Sequence, residues 1–133
     1  MKAKTNLTML CDFYELTMAN GYFQTGLQDR ICYFDVFYRS VPDKGGFAIA
    51  AGLAQVVEYI QELCFDQEDV DYLRTKGCFS EEFLTFLRGF KFTGDIWAVP
   101  EGTPVFPNEP IMTVRAPAIQ AQFVETFLLL TLN

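Results

Sequence analysis

The chain of 133 residues contains no histidine, so it lacks the side chain that most often serves as a general base or metal ligand. Neither a Ser–His nor a Cys–His nucleophile pair can form within it. The cysteines at positions 11, 32, 64 and 78 include no C-x-x-C pair, so no zinc-finger pattern is present. We expect all four thiols to be reduced, as in cytosolic proteins.

Long apolar runs and positive charge are also scarce. No apolar stretch is long enough to span a membrane, and the first residues lack the apolar region of a signal peptide, so we expect a cytoplasmic protein without a membrane partner. Lys and Arg number 10 against 17 Asp and Glu, which gives a net charge of -7. A nucleic-acid partner is not expected, because it would require a basic surface to neutralise phosphates.

Apolar and aromatic residues are abundant. Hydrophobic residues make up 50% of the chain, and 14 of its residues are Phe. This composition excludes a disordered tail, and the length suits one domain. So many Phe side chains indicate either one dense core or a surface that meets another domain or subunit.

The spacing of the apolar residues predicts an α+β fold, in which an open, mainly antiparallel sheet packs against helices. Asp12 and Glu15 stand at the N-cap and third positions of the first helix, which predicts a capping box. Helices are predicted at 12–24, 53–63, 67–76, 81–90 and from 118 onward, strands at 31–39, 95–99, 103–106 and 111–114, and a loop at 41–46.

Two of the predicted helices carry more apolar surface than one domain can cover. The helix at 12–24 has one apolar line through Leu16 and another through Tyr14 and Met18, so its second line needs a second surface. The helix that begins at Ala118 is apolar nearly all round in its last two turns, which is typical of a helix inside a larger body. We predict that it continues into material outside the chain.

From the residues alone, only the cationic side chain of Arg39 and the aromatic ring of Tyr14 suggest a binding site. Arg39 ends a predicted strand, and an ion pair with Asp35 on the same face is an equally ordinary explanation for it. Tyr14 lies on the first helix, where plain packing is the ordinary explanation. These features support a domain with an interaction surface and no assigned chemistry.

Five short segments along the chain indicate a resemblance to a known protein family. They are 10–18 with the pair 21–22 (LCDFYELTM and GY), 37–39 (FYR), 45–53 (GGFAIAAGL), 92–95 (FTGD) and 100–110 (PEGTPVFPNEP). In this order they resemble the N-terminal region of nicotinate phosphoribosyltransferases, and the resemblance covers essentially the whole chain. One departure is Cys11, which stands where the family usually has Thr.

The resemblance implies an enzyme that joins nicotinate to phosphoribosyl pyrophosphate with coupled ATP hydrolysis, giving nicotinate mononucleotide for NAD salvage. It implies a homodimer in which each active site borrows side chains from the partner's N-terminal domain. Tyr14 corresponds to the tyrosine that stacks on the pyridine ring, Asp12 to the acid two positions before that tyrosine, and Arg39 to an arginine that reaches a substrate phosphate. All three are expected to bind substrate.

The same resemblance implies that the catalytic barrel is missing from this chain. We predict residues 1–117 to be an N-terminal α+β domain and 118–133 to begin the helix that leads into the barrel. ATP and magnesium are expected to serve the full-length enzyme, while the fragment alone is expected to bind neither, to hold no catalytic residue and to be inactive. The alternatives are a non-catalytic dimerisation module or truncated product, and a nicotinamide or quinolinate phosphoribosyltransferase.

Overall fold

The computed structural model describes residues 6–41 and 45–132, so Asn133 and part of the predicted 41–46 loop lie outside the described residues. It confirms the predicted α+β fold of helices and small antiparallel sheets. The helices are α1 (Phe13–Gln24), α2 (Leu53–Glu62), α3 (Gln67–Arg74), α4 (Glu81–Arg88), α5 (Ala118–Phe123) and α6 (Glu125–Leu132). The strands are β1 (Ile31–Val36), β2 (Ala48–Ile49), β3 (Asp95–Ala98), β4 (Pro104–Val105) and β5 (Met112–Pro117).

The main sheet has three antiparallel strands in the order β1-β5-β3. Residues at even positions of β1 and β5 face the core, and those at odd positions are more exposed, as period-2 alternation requires. The prediction that 103–106 joins this sheet was wrong, because β4 pairs with β2 in a separate ladder. Pro104 has no N–H to donate, and a turn with Asn108 at φ 64° separates β4 from β5.

The core lies between the inner face of this sheet and the helices. Helix α5 packs against α1, β1 and β5, so the first part of the predicted terminal helix is buried in this domain. Helix α2 buries Val56, Tyr59 and Ile60, whereas Val57 is exposed. The largest fully buried side chains include Phe83, Phe123, Leu73, Leu84 and Leu87.

Helix α1 differs from its prediction at its first turn. Asp12 is the N-cap residue but its side chain makes no capping hydrogen bond, so the predicted capping box was wrong. The physical reason is that Glu15 turns inward and is completely buried, so the N–H of Asp12 donates to the Thr126 hydroxyl instead of to Glu15. The line of Tyr14 and Met18 faces outward, so α1 carries an exposed apolar face.

Strand β1 ends at Val36, three residues before the predicted end at Arg39. The N–H of Ile111 donates to the Val36 carbonyl, and the chain then leaves the sheet. Tyr38 fixes this exit, because its hydroxyl donates to the Val105 carbonyl at 2.6 Å and its own carbonyl accepts from the Asn108 N–H. The exit places Arg39 beside the sheet edge.

The four cysteines at 11, 32, 64 and 78 are free thiols, in agreement with the expectation that they are reduced. In the part of the chain that the structure describes, every helix is too short or too polar to cross a membrane.

Candidate functional site

Two of the three residues expected to bind substrate lie where the start of α1 meets the start of α6. The backbone N–H of Asp12 donates to the Thr126 hydroxyl at 3.3 Å. The Tyr14 hydroxyl donates to Glu125 Oε1 at 2.7 Å. Both residues are therefore tied to the first turn of α6, although they are more than 110 positions away from it in sequence.

Arg39, in the segment that follows β1, lies near Leu129, which is farther along α6 than Glu125. It is exposed and lines a groove of about 530 Å³ that Leu129 of α6 also lines. Glu125 and Leu129 are four residues apart, so they occupy the same face of α6 about one helical turn from each other. The structure therefore brings Asp12, Tyr14 and Arg39 to one side of α6, which we call the α6 surface.

The α6 surface is recessed between Glu125 and Arg39. A second groove, of about 450 Å³, lies between β1 and α6 and includes Glu125 in its lining. Asp35 and Leu129 line both grooves, so the two depressions adjoin. The adjoining grooves therefore extend from Glu125, which binds the Tyr14 hydroxyl, to Arg39.

The alternative explanation for Arg39 is not realised in this structure. Asp35 Oδ1 accepts a hydrogen bond from the Thr113 hydroxyl at 2.6 Å, across the β1–β5 pair. Within residues 6–41 and 45–132, no ion pair joins Arg39 to Asp35. Among the described residues, no carboxylate therefore forms an ion pair with the guanidinium group of Arg39, which lines the groove.

Tyr14 is likewise not a plain packing residue. Its side chain is 46% exposed, and its hydroxyl is fixed by Glu125. The hydrogen bond to Glu125, partial burial and the nearby carboxylates of Glu15 and Asp12 raise the pKa of the Tyr14 phenol well above its usual range. The phenol therefore stays protonated at physiological pH and presents part of its ring to the outside.

Glu15 and Cys11 lie beneath this surface. Glu15 Oε1 accepts from the Thr126 hydroxyl at 2.6 Å, whereas the buried Oε2 has no partner among the described residues. Burial, opposed by the Thr126 bond, raises the pKa of Glu15 to about 7, and the charges of Glu125 and Asp12 add to the rise. Burial and the Glu15 charge raise the pKa of the Cys11 thiol to about 12, so Cys11 is unsuited to nucleophilic chemistry.

The residues that hold α1 on α6 were not predicted from the sequence. Gln122, Glu125 and Thr126 follow an i, i+3, i+4 spacing and form one polar stripe on an otherwise apolar segment. Gln122 Nε2 donates to Glu125 Oε2 at 2.7 Å, which completes the contacts of this carboxylate. The signal that could have revealed the stripe is its polarity, because buried polar groups need partners.

Elsewhere in the described residues, a groove of about 580 Å³ lies beside α2. Its described lining includes Glu58, Glu62 and Asp66 and no Lys or Arg. Across the described ranges, no group of three side chains is placed to hold a metal ion.

Comparison with known proteins gives a consistent result. Residues 9–133 match the family model described as the nicotinate phosphoribosyltransferase N-terminal domain. The chain is 48% identical over 121 residues to a nicotinate phosphoribosyltransferase of Mycobacterium tuberculosis, covering 91% of this chain and 26% of that protein. It is 38% identical over 128 residues to the Bacillus subtilis enzyme of the same name, with 96% and 26% covered.

Solved structures resemble the fold as well. Human nicotinic acid phosphoribosyltransferase superposes with a TM-score of 0.84 at 32% identity, covering 91% of this chain and 25% of that one. Nicotinate-nucleotide pyrophosphorylase from Pyrococcus furiosus superposes with a TM-score of 0.66 at 16% identity, which shows a shared fold alone. The chain spans about a quarter of the length of the curated relatives it matches.

Proposed function

The chain belongs to the family of nicotinate phosphoribosyltransferase N-terminal domains, and from this membership we propose that it is the substrate-contacting N-terminal part of such an enzyme. The complete enzyme would form nicotinate mononucleotide in NAD salvage. The pyridine nitrogen of nicotinate would attack the anomeric carbon of phosphoribosyl pyrophosphate. A C–N bond would form, the C–O bond to pyrophosphate would break, and the pyridine ring would become a cation.

The observation that carries the proposal is the convergence of Asp12, Tyr14 and Arg39 on the α6 surface. Asp12 and Tyr14 come from one part of the sequence and Arg39 from another. All three lie along one turn of α6. An aromatic face at one end and a guanidinium group at the other match a substrate pair made of a flat ring and a phosphorylated sugar. Plain packing would not require this pairing at an exposed groove.

Tyr14 is proposed to stack on the pyridine ring. Its ring is partly exposed while its hydroxyl is held, so the direction of its long axis is fixed before a ligand arrives. An electron-poor pyridine favours offset contact with a phenol face. The carboxylates of Asp12 and Glu125 near Tyr14 would attract the ring cation that the reaction creates.

Arg39 is proposed to contact a phosphate of phosphoribosyl pyrophosphate. A guanidinium group offers parallel N–H donors that fit two phosphate oxygens. In the part of the chain that the structure describes, this group forms no ion pair, so it is available for a ligand. Asp35, which lines the same groove, is engaged by Thr113 and therefore competes less for the cation.

A second subunit is proposed to complete the site. Phe13, Tyr14 and Met18 form an outward apolar face on α1, beside the α6 surface. Burying such side chains stabilises a contact by roughly 1.5–3 kcal/mol each. We propose a homodimer in which α1 and Arg39 of one subunit approach the barrel of the other, while ATP and magnesium act in the barrel.

The experiment that tests the function is product analysis of the complete protein that carries these residues. With phosphoribosyl pyrophosphate, ATP and magnesium present, nicotinate, nicotinamide and quinolinate are supplied in separate reactions. The proposal predicts that nicotinate is converted to its mononucleotide and is preferred over the other two. A preference for nicotinamide or quinolinate would identify a different phosphoribosyltransferase, and turnover of none of them would favour a non-catalytic dimerisation module.

A further inference from the structure

Glu125 occupies the junction between the Tyr14 hydroxyl and the core of the domain. Its Oε1 accepts from Tyr14 at 2.7 Å, and its Oε2 accepts from the Gln122 amide at 2.7 Å. Gln122 is 3% exposed, so this donor is fixed in the packed interior. Both oxygens of one carboxylate are therefore held, one by the buried helix α5 and one by the exposed ring.

The neighbouring residue reinforces the same junction. The Thr126 hydroxyl donates to the buried Glu15 and accepts from the backbone N–H of Asp12. Glu125 and Thr126 thus fix α1 at two points, through the Tyr14 side chain and through the helix N-cap. The α1 backbone and the far end of the Tyr14 ring are tied to adjacent residues of α6, which restricts the tilt of the ring.

We infer that Glu125 is a positioning residue that sets the direction of the Tyr14 ring at the substrate site. A phenol held at its hydroxyl has a fixed long axis, whereas a phenylalanine ring at the same position can tilt. Hydrogen bonds to charged acceptors are about twice as strong as neutral ones, so a carboxylate suits this role. Gln122 fixes the carboxylate from the opposite side.

This inference rests on the proposed stacking of nicotinate on Tyr14, so its test must separate the two. The complete protein is assayed by steady-state kinetics with nicotinate varied and phosphoribosyl pyrophosphate saturating. The variants are Tyr14→Ala, Tyr14→Phe, Glu125→Ala, Glu125→Gln and the double variant of Tyr14→Phe with Glu125→Ala. Glu82→Gln, at an exposed position in the first turn of α4, is the matched control for loss of a carboxylate.

The expected result is a rise in KM for nicotinate of roughly two- to tenfold in Glu125→Ala, with kcat changed much less. Tyr14→Phe should give a similar rise, because it removes the other half of the same hydrogen bond. The double variant should be no worse than either single change, since residues in one interaction are not additive. Glu125→Gln, which retains an acceptor oxygen, should recover most of the affinity, and Glu82→Gln should match the wild type.

Two results would overturn the inference while leaving the proposed stacking intact. In the first, Tyr14→Ala raises KM but Glu125→Ala does not. In the second, the effects of Tyr14→Phe and Glu125→Ala add, or Glu125→Ala lowers kcat alone, as a loss of folded protein would. If Tyr14→Ala itself leaves KM for nicotinate unchanged, the stacking and the inference fail together.

Discussion

Glu15 places a carboxyl group in the interior of the domain at the level of the α6 surface. Folding raises its pKa from 4.5 to about 7. Between these values the folded protein keeps the proton while the unfolded chain loses it. Stability from this group is therefore present below about pH 4.5 and declines as the pH rises toward 7.

Replacing Glu15 by Gln tests this dependence, because Gln keeps the shape without the titration. From pH 5 to pH 7.5, the free energy of unfolding of the wild type should fall relative to Glu15→Gln by on the order of 1–3 kcal/mol. Urea unfolding of both proteins at several pH values measures the difference. Parallel curves for the two proteins would show that Glu15 does not titrate in this range.

Arg39 offers a second prediction at the scale of one side chain. Arg39→Lys keeps the charge and loses the guanidinium geometry, so KM for phosphoribosyl pyrophosphate should rise by roughly three- to tenfold, with a smaller effect on nicotinate. Arg30→Lys, just before the other end of β1, is the matched control and should behave as the wild type. Steady-state kinetics of the complete protein measures both, and an equal response of the two variants would remove Arg39 from the phosphate site.

At the scale of elements, the meeting of α2 and α6 depends on Gly52. This residue has φ +98°, and a methyl group added there would lie 2.8 Å from the Thr131 carbonyl oxygen. Gly52→Ala should lower the free energy of unfolding by about 2 kcal/mol or more, since strain and overlap add. Gly21→Ala, in α1 with no atom within 4 Å of the added group, should instead stabilise by about 0.5–1 kcal/mol.

Urea unfolding of the two glycine variants beside the wild type measures these changes. The opposite signs make the comparison informative, because a general intolerance of the domain to substitution would destabilise both. A Gly52→Ala protein with the wild-type midpoint would contradict the close approach of α6 to the start of α2.

The elements were predictable wherever local chemistry decided them. Ser80 caps α4 through the Phe83 N–H, and Gly77 at φ +68° follows α3, so both helices lie where the sequence places them. Long-range partners decided the rest. The end of β1 depends on the hydrogen bond from Tyr38 to Val105, and the inward position of Glu15 depends on its hydrogen bond with Thr126. Neither contact can be predicted from the local sequence.

The candidate site was predictable in a different way. Tyr14 and Arg39 were identified by resemblance, because an exposed ring and a single cation carry little information in isolation. Their convergence depends on α6 lying between them, which periodicity does not show. Glu125 was missed because an acid in the first turn of a helix is ordinarily a solvated charge, and its two partners come from other elements.

At the scale of the whole molecule, the chain supplies one side of a proposed active site. It spans about a quarter of its curated relatives, and it has no histidine. Residues 1–133 alone, given nicotinate, phosphoribosyl pyrophosphate, ATP and magnesium, are therefore expected to form no nicotinate mononucleotide. Tyr14, Arg39 and the exposed face of α1 would act only against the barrel of a partner.

Subunit complementation tests this central claim most directly. Complete chains carrying Arg39→Ala are mixed with complete chains inactivated in the proposed barrel, under conditions in which subunit exchange is demonstrated. If the site is shared, each mixed dimer contains one intact site, and random exchange should restore about a quarter of the wild-type activity. A mixture that stays inactive although mixed dimers have formed would contradict the claim, because Arg39 would then serve only its own subunit or no site at all.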